Sequence, residues 1–141
     1  MLQLYTEDTY EVENGEATIT DFKESIRGNI VIPSELGGYS VTTIGQLAFS
    51  YCEFTGVTIP NSVNYLGSSV FTYCDSLIQA NVLASIDKLP SWAFYGCTSL
   101  TDVTLSSSIN NVGADAFNNC KSVDKISGNL SADVLNEIQS Q

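Results

Sequence analysis

Short apolar runs recur along this chain at a near-constant interval. Val57-Thr58-Ile59, Ala80-Asn81-Val82 and Val103-Thr104-Leu105 each place a polar residue between two apolar ones; Ile30-Val31-Ile32 precedes them and a degenerate Ile126-Ser127 follows. That is the period of a half-buried strand, one side in the core and the other in solvent. Beyond each run the chain turns through Asn61-Ser62, Ala84-Ser85 or Ser107-Ser108 and sets one more apolar residue inward: Val63, Ile86 or Ile109. A second pattern then takes over. Ile44/Ala48/Phe49/Cys52, Leu66/Val70/Phe71/Cys74, Leu89/Ala93/Phe94/Cys97 and Val112/Ala116/Phe117/Cys120 each fall at i, i+4, i+5 and i+8, the spacing of a compact helical turn with one apolar face. Leu77, Leu100 and Val123 lead back to the next strand. Phe54 stands one position early, which makes the first cysteine spacing 22 and the next two 23.

A period in this range means stacked units that cannot bury their apolar faces alone. At one unit per rung, equivalent residues lie roughly 4.8 Å apart, and about five rungs make a sheet about 20–25 Å long. The phenylalanines then form a central spine. The first unit departs from the pattern: Ile32 to Ile44 is 12 residues against 7 from Ile59 to Leu66, an insertion around Gly37-Gly38-Tyr39. Asn14-Gly15, flanked by Thr9–Val12 and Ala17–Phe22, predicts a hairpin with a type I′ turn. Glu13-Asn14-Gly15-Glu16 lacks the full set of spaced ligands that calcium requires, so it reads as a turn. Ser131 reads as the N-cap of a closing helix whose apolar stripe is Leu130, Val134, Leu135 and Ile138. The expectation is a single domain over 1–141: an N-terminal cap at 1–27, repeats at 28–128 and a C-terminal cap at 129–141.

These residues resemble the BspA-like leucine-rich-repeat family from about Gly15 to Ile126. The motif reads Val57-Thr58-Ile59-Pro60-Asn61-Ser62-Val63, then Leu66-Gly67, Val70-Phe71 and Cys74. It returns as Leu100 and Val103-Thr104-Leu105, then Val112-Gly113, Ala116-Phe117 and Cys120. The resemblance implies an α/β repeat: a right-handed leucine-rich-repeat solenoid, with short parallel strands on one face and short helical turns on the other. It also implies a module of a bacterial surface or secreted protein, several relatives being associated with attachment to host proteins or other cells. The family supplies no catalytic residues.

Composition narrows the chemistry. The 141 residues carry 16 acidic and 5 basic side chains, a net charge of −11, which repels phosphate backbones and argues against nucleic acid. No run approaches the roughly 20 apolar residues of a membrane span, and no signal peptide is visible at the start. The chain therefore reads as intracellular, as processed, or as one module of a longer protein. There is no histidine, so Ser-His and Cys-His pairs are out of reach, and no cofactor motif appears. Asp102 and Asp124 could approach through stacking, but nothing marks a pocket around them. With one cysteine per repeat, metal ligation lacks the usual close ligand pairs. Buried thiols acting as small apolar residues are favoured over disulfides, because stacked side chains pointing the same way rarely reach the required dihedral.

Two surfaces remain as candidates for binding. One is the outward rows of the sheet, Thr58, Asn81, Thr104 and Ser127 with Gln79, Asp102 and Lys125 beside them; regular polar rows can also be simply solvated. The other is aromatic, Tyr51, Tyr73 and Tyr95 with Trp92, which either contact a ligand or pack against adjacent rungs. The expected function is non-enzymatic binding of a protein or glycan, with adhesion as its setting. The rivals are a spacer without a ligand and an intracellular partner-binding protein.

Overall fold

The computed structural model describes residues 9–22, 25–120, 123 and 125–140. A hairpin opens the chain, β1 (Tyr10–Glu13) and β2 (Glu16–Ile19), joined through Asn14 and Gly15 at φ 54° and 78°. Both linking residues are left-handed, as a type I′ turn demands. β3 (Asn29–Val31) follows. Then β4 (Glu35–Leu36) and β5 (Tyr39–Ile44) form a second hairpin around Gly37-Gly38. This hairpin is the insertion that lengthens the first unit. From there the elements alternate long and short: β6 (Gly56–Ile59), β7 (Tyr65–Leu66), β8 (Gln79–Val82), β9 (Lys88–Leu89), β10 (Asp102–Leu105), β11 (Asn111–Val112) and β12 (Lys125–Ser127). The last element is a helix, α1 (Ala132–Gln139).

The molecule is a β-solenoid of about five turns. On one side β3, β6, β8, β10 and β12 form a parallel sheet in strict register, Val57 beside Ala80, Ala80 beside Val103 and Val103 beside Ile126. A second, narrower parallel ladder runs β2–β5–β7 and resumes as β9–β11. The break has a chemical cause. Gly45, Gly67 and Gly113 each donate an amide to the rung before, to Ile19, Ile44 and Leu89. Pro90 holds the same place in its rung and has no N–H to give. Serine hydroxyls tie the corners: Ser62 donates to the Val41 carbonyl, Ser85 to Asn61 and Ser106 to Ala84, each at 2.7 Å.

The third side carries the helical turns, short successions of i→i+3 bonds (in one rung Ala93 N to Pro90 O, Tyr95 N to Trp92 O and Cys97 N to Phe94 O). They do not join into an α-helix, because left-handed residues interrupt them twice per rung, at Leu47/Tyr51, Ser69/Tyr73, Trp92/Gly96 and Asp115/Asn119. The interruptions aim alternate amides at the next rung. Leu47, Phe49 and Tyr51 donate to Ser68, Val70 and Thr72, and Ser69, Phe71 and Tyr73 donate to Ser91, Ala93 and Tyr95. Backbone pairing between rungs thus continues on the side that lacks strands, which leaves few orphaned amides.

The core lies inside this prism. Phe49, Phe71, Phe94 and Phe117 stack at centroid distances of 5.5, 5.3 and 5.6 Å. Phe22 extends the spine at 5.2 Å from Phe49, and Phe54 meets Phe49 and Phe71 edge-on. At the far end Ser131 caps α1 by accepting from Val134 N, and Ile138 is buried against the last rung.

The cysteines correct the sequence reading in part. Cys97 and Cys120 are free and donate S–H to the carbonyls of Phe71 and Phe94 at 3.1 and 3.2 Å. Cys52 and Cys74 are instead joined in a disulfide, their Cα atoms 4.8 Å apart. Stacking at that distance lies inside the range a bridge needs, and the pair sits where the repeat is one residue short. Cys74 Sγ also lies 3.1 Å from the Phe49 carbonyl oxygen. Once bridged it has no proton to donate, so there the contact is packing.

Candidate functional site

Each candidate surface is a product of the stacking. Register places Thr58, Asn81, Thr104 and Ser127 in one row, extended by Val31. Gln79, Asp102 and Lys125 lie in a parallel row with Asn29 and Gly56. Both rows face outward and are half-buried to exposed, except Gly56, which is buried. Thr101 Oγ1 donates to Asp102 Oδ1 at 3.1 Å. Asp124, the suggested partner of Asp102, lies outside the described residues. Val31 is the large apolar side chain on this face, 71% exposed.

The aromatic candidates lie on the side of the turns, away from these rows. Tyr51 stacks on Tyr73 at 5.3 Å, and Tyr95 meets Tyr73 edge-on at 5.5 Å and 84°. The difference is one of register: Gly96, not Tyr95, aligns with Tyr51 and Tyr73. Gly96 makes room for the Tyr73 ring, from which a Cβ at this position would stand only 2.5 Å. Tyr95 occupies the preceding column, with Thr72 and Asn118. Trp92 belongs to a third column, with Ser69 before it and Asp115 after it, and is half-exposed.

These three columns enclose an open groove of about 440 Å³, lined by Ser69, Thr72, Tyr73, Trp92, Tyr95, Asp115 and Asn118. The structure therefore brings Tyr73, Trp92 and Tyr95 together, while Tyr51 stacks on Tyr73 without lining the groove. Trp92 Nε1 donates to Asp115 Oδ2 at 3.1 Å, and Asn118 Nδ2 donates to Asp115 Oδ1 at 3.0 Å. Asn119 Nδ2 donates to the Tyr95 hydroxyl at 3.0 Å. The Tyr73 hydroxyl is held above its ordinary value by neighbouring Tyr95 first, then by burial, with Tyr51 and Asp75 adding to it. Sequence reasoning missed Asp115, Asn118 and Ser69. Asp115 follows Trp92 by one repeat, so aligning the repeats column by column would have paired them. Among the described residues no group of three His, Cys, Asp or Glu side chains is placed to hold a metal ion.

Comparison with known proteins agrees with this architecture. The family described as BspA type leucine rich repeat region matches residues 20–139, in six copies. The chain belongs to that family. Among solved structures, this BspA-type array is similar to a leucine-rich repeat protein from Bacteroides capillosus, at 30% identity and a TM-score of 0.70. That match covers 84% of this chain and 91% of the other. A leucine-rich repeat protein from Bacteroides ovatus is 26% identical with a TM-score of 0.69, over 85% of this chain and 35% of its own. A leucine rich cell surface protein from Faecalibacterium prausnitzii is 23% identical, TM-score 0.59, over 94% of this chain and 40% of its own. The BspA-type chain thus spans well under half the length of these last two. No curated protein matches it.

Proposed function

We propose that this chain is a non-enzymatic binding module of a bacterial surface or secreted protein, and that it engages a protein or glycan ligand on its aromatic edge. The repeat family favours a protein-interaction role, and its members are typically surface-associated; one structural neighbour is a leucine rich cell surface protein. One observation carries the choice of surface. Tyr51, Tyr73 and Trp92 are 69%, 40% and 49% exposed while held by stacking and hydrogen bonds. Large aromatic area that is already ordered costs little entropy on binding, which is the character of a hot spot. The sheet rows offer no comparable anchor.

Arrays of bacterial and host-matrix proteins and of glycans, probed with wild type, Tyr73→Ala and a Thr58→Ala/Asn81→Ala/Thr104→Ala triple variant, test this. The aromatic variant is expected to lose at least about tenfold in affinity, and the triple variant to keep it. Loss confined to the triple variant, with melting temperatures equal, would move the site to the sheet.

A further inference from the structure

The groove has a sign as well as a shape. Its carboxylate, Asp115, is positioned by two neutral donors, Trp92 and Asn118, neither of which compensates its charge. Among the described residues no Lys or Arg lines the groove, and the chain as a whole carries −11. The face of an electron-rich ring attracts a cation, most strongly for Trp and then Tyr. Tyr73, Trp92 and Tyr95 beside a carboxylate that has no cationic partner among the described residues are therefore complementary to a guanidinium or ammonium group. A neutral sugar would use the aromatic faces and leave the charge unanswered.

We propose that the groove receives an Arg or Lys side chain from a basic segment of a protein partner, the cation lying against Trp92 and Tyr73 with Asp115 as its counter-ion. Arg fits better than Lys, because a planar guanidinium stacks on a ring while donating to a carboxylate. This rests on the aromatic edge being the binding surface. The surrounding acidic field would also speed encounter with a basic segment.

Trp92 is the chain's sole tryptophan, so its fluorescence reports directly on the groove. Wild type is titrated with a short alternating Gly-Arg peptide, a Gly-Glu peptide and maltohexaose. The Gly-Arg peptide is expected to give a saturable change that weakens as salt is added; the other two are expected to give none. Asp115→Asn removes the charge while keeping an acceptor for Trp92 Nε1; turning the Asn118 amide over lets its oxygen accept from the introduced NH2, and Asn tolerates the positive φ of this position. It is expected to weaken the Gly-Arg titration by about tenfold with the melting temperature unchanged. Equal affinity in Asp115→Asn, or no response to Gly-Arg, overturns the cation site. Saturation by maltohexaose alone also overturns it, yet leaves the aromatic edge as the binding surface. The array comparison of Tyr73→Ala decides that wider reading independently.

Discussion

Leu47, Tyr51 and Trp92 hold left-handed backbone conformations at φ 61°, 59° and 57°, which bulky L-residues rarely adopt. Each amide there donates to the next rung, and that bond offsets the strain. The same conformation turns the side chain outward, so the backbone device that continues pairing between rungs also exposes the aromatic ridge. Cysteine shows the opposite use of a repeat position. Burial pushes the Cys120 thiol up to about 11, with a hydrogen bond to Cys97 backbone acting the other way, and burial raises Cys97 further. Both thiols therefore remain protonated at neutral pH, and the thiolate is the reactive form. In the folded chain neither is expected to react appreciably with a thiol reagent at pH 7.5. In denaturant without reductant two should titrate, and after reduction four. Four without reductant would show that Cys52 and Cys74 are not bridged in the purified protein.

Among the elements, the turns contribute most to cohesion, because each carries one ring of the phenylalanine spine. Phe71 and Phe94 are fully buried and stacked on both sides. Replacing either with alanine opens a cavity that rigid neighbouring rungs cannot close, at a cost of about 3–5 kcal/mol. Denaturant melts of Phe71→Ala and Phe94→Ala check this; a midpoint equal to wild type would mean that the spine is dispensable. The strands and the spine were legible in the sequence because a residue two positions away, or one repeat away, has the same environment. Phe22 was not, since the inserted hairpin β4–β5 displaces it from the period. Nor was the left-handed pair in each turn, because Leu, Tyr and Trp give no sign of positive φ. Pro90 was visible as an exception to glycine, but the ladder break it causes depends on where its own missing amide would have pointed, at the rung before. The aromatic candidates were legible as residues and not as a groove, because Tyr95 is offset by one position from the column of Tyr51 and Tyr73.

At the scale of the molecule, a stack of rungs has two open ends, and each must be covered or it will pair with another copy. The hairpin β1–β2 covers one end through parallel pairing of β2 with β5. α1 covers the other with Ile138, while Leu130 and Val134 pack partly buried beside it. Ile138→Asp places a charge in an apolar contact and undocks the helix, losing about 1.5–3 kcal/mol of side-chain burial. The exposed end is then free to meet another molecule, but two chains of charge −11 repel each other at low ionic strength. Association should therefore emerge as salt is raised and the screening length falls below about 10 Å. Light scattering on Ile138→Asp is expected to show a monomer in dilute buffer and concentration-dependent oligomers at high salt, with a lowered melting temperature throughout. Wild type should remain monomeric across the same range. A variant that melts with wild type and stays monomeric at every salt would show that the docked helix does not act as the cap.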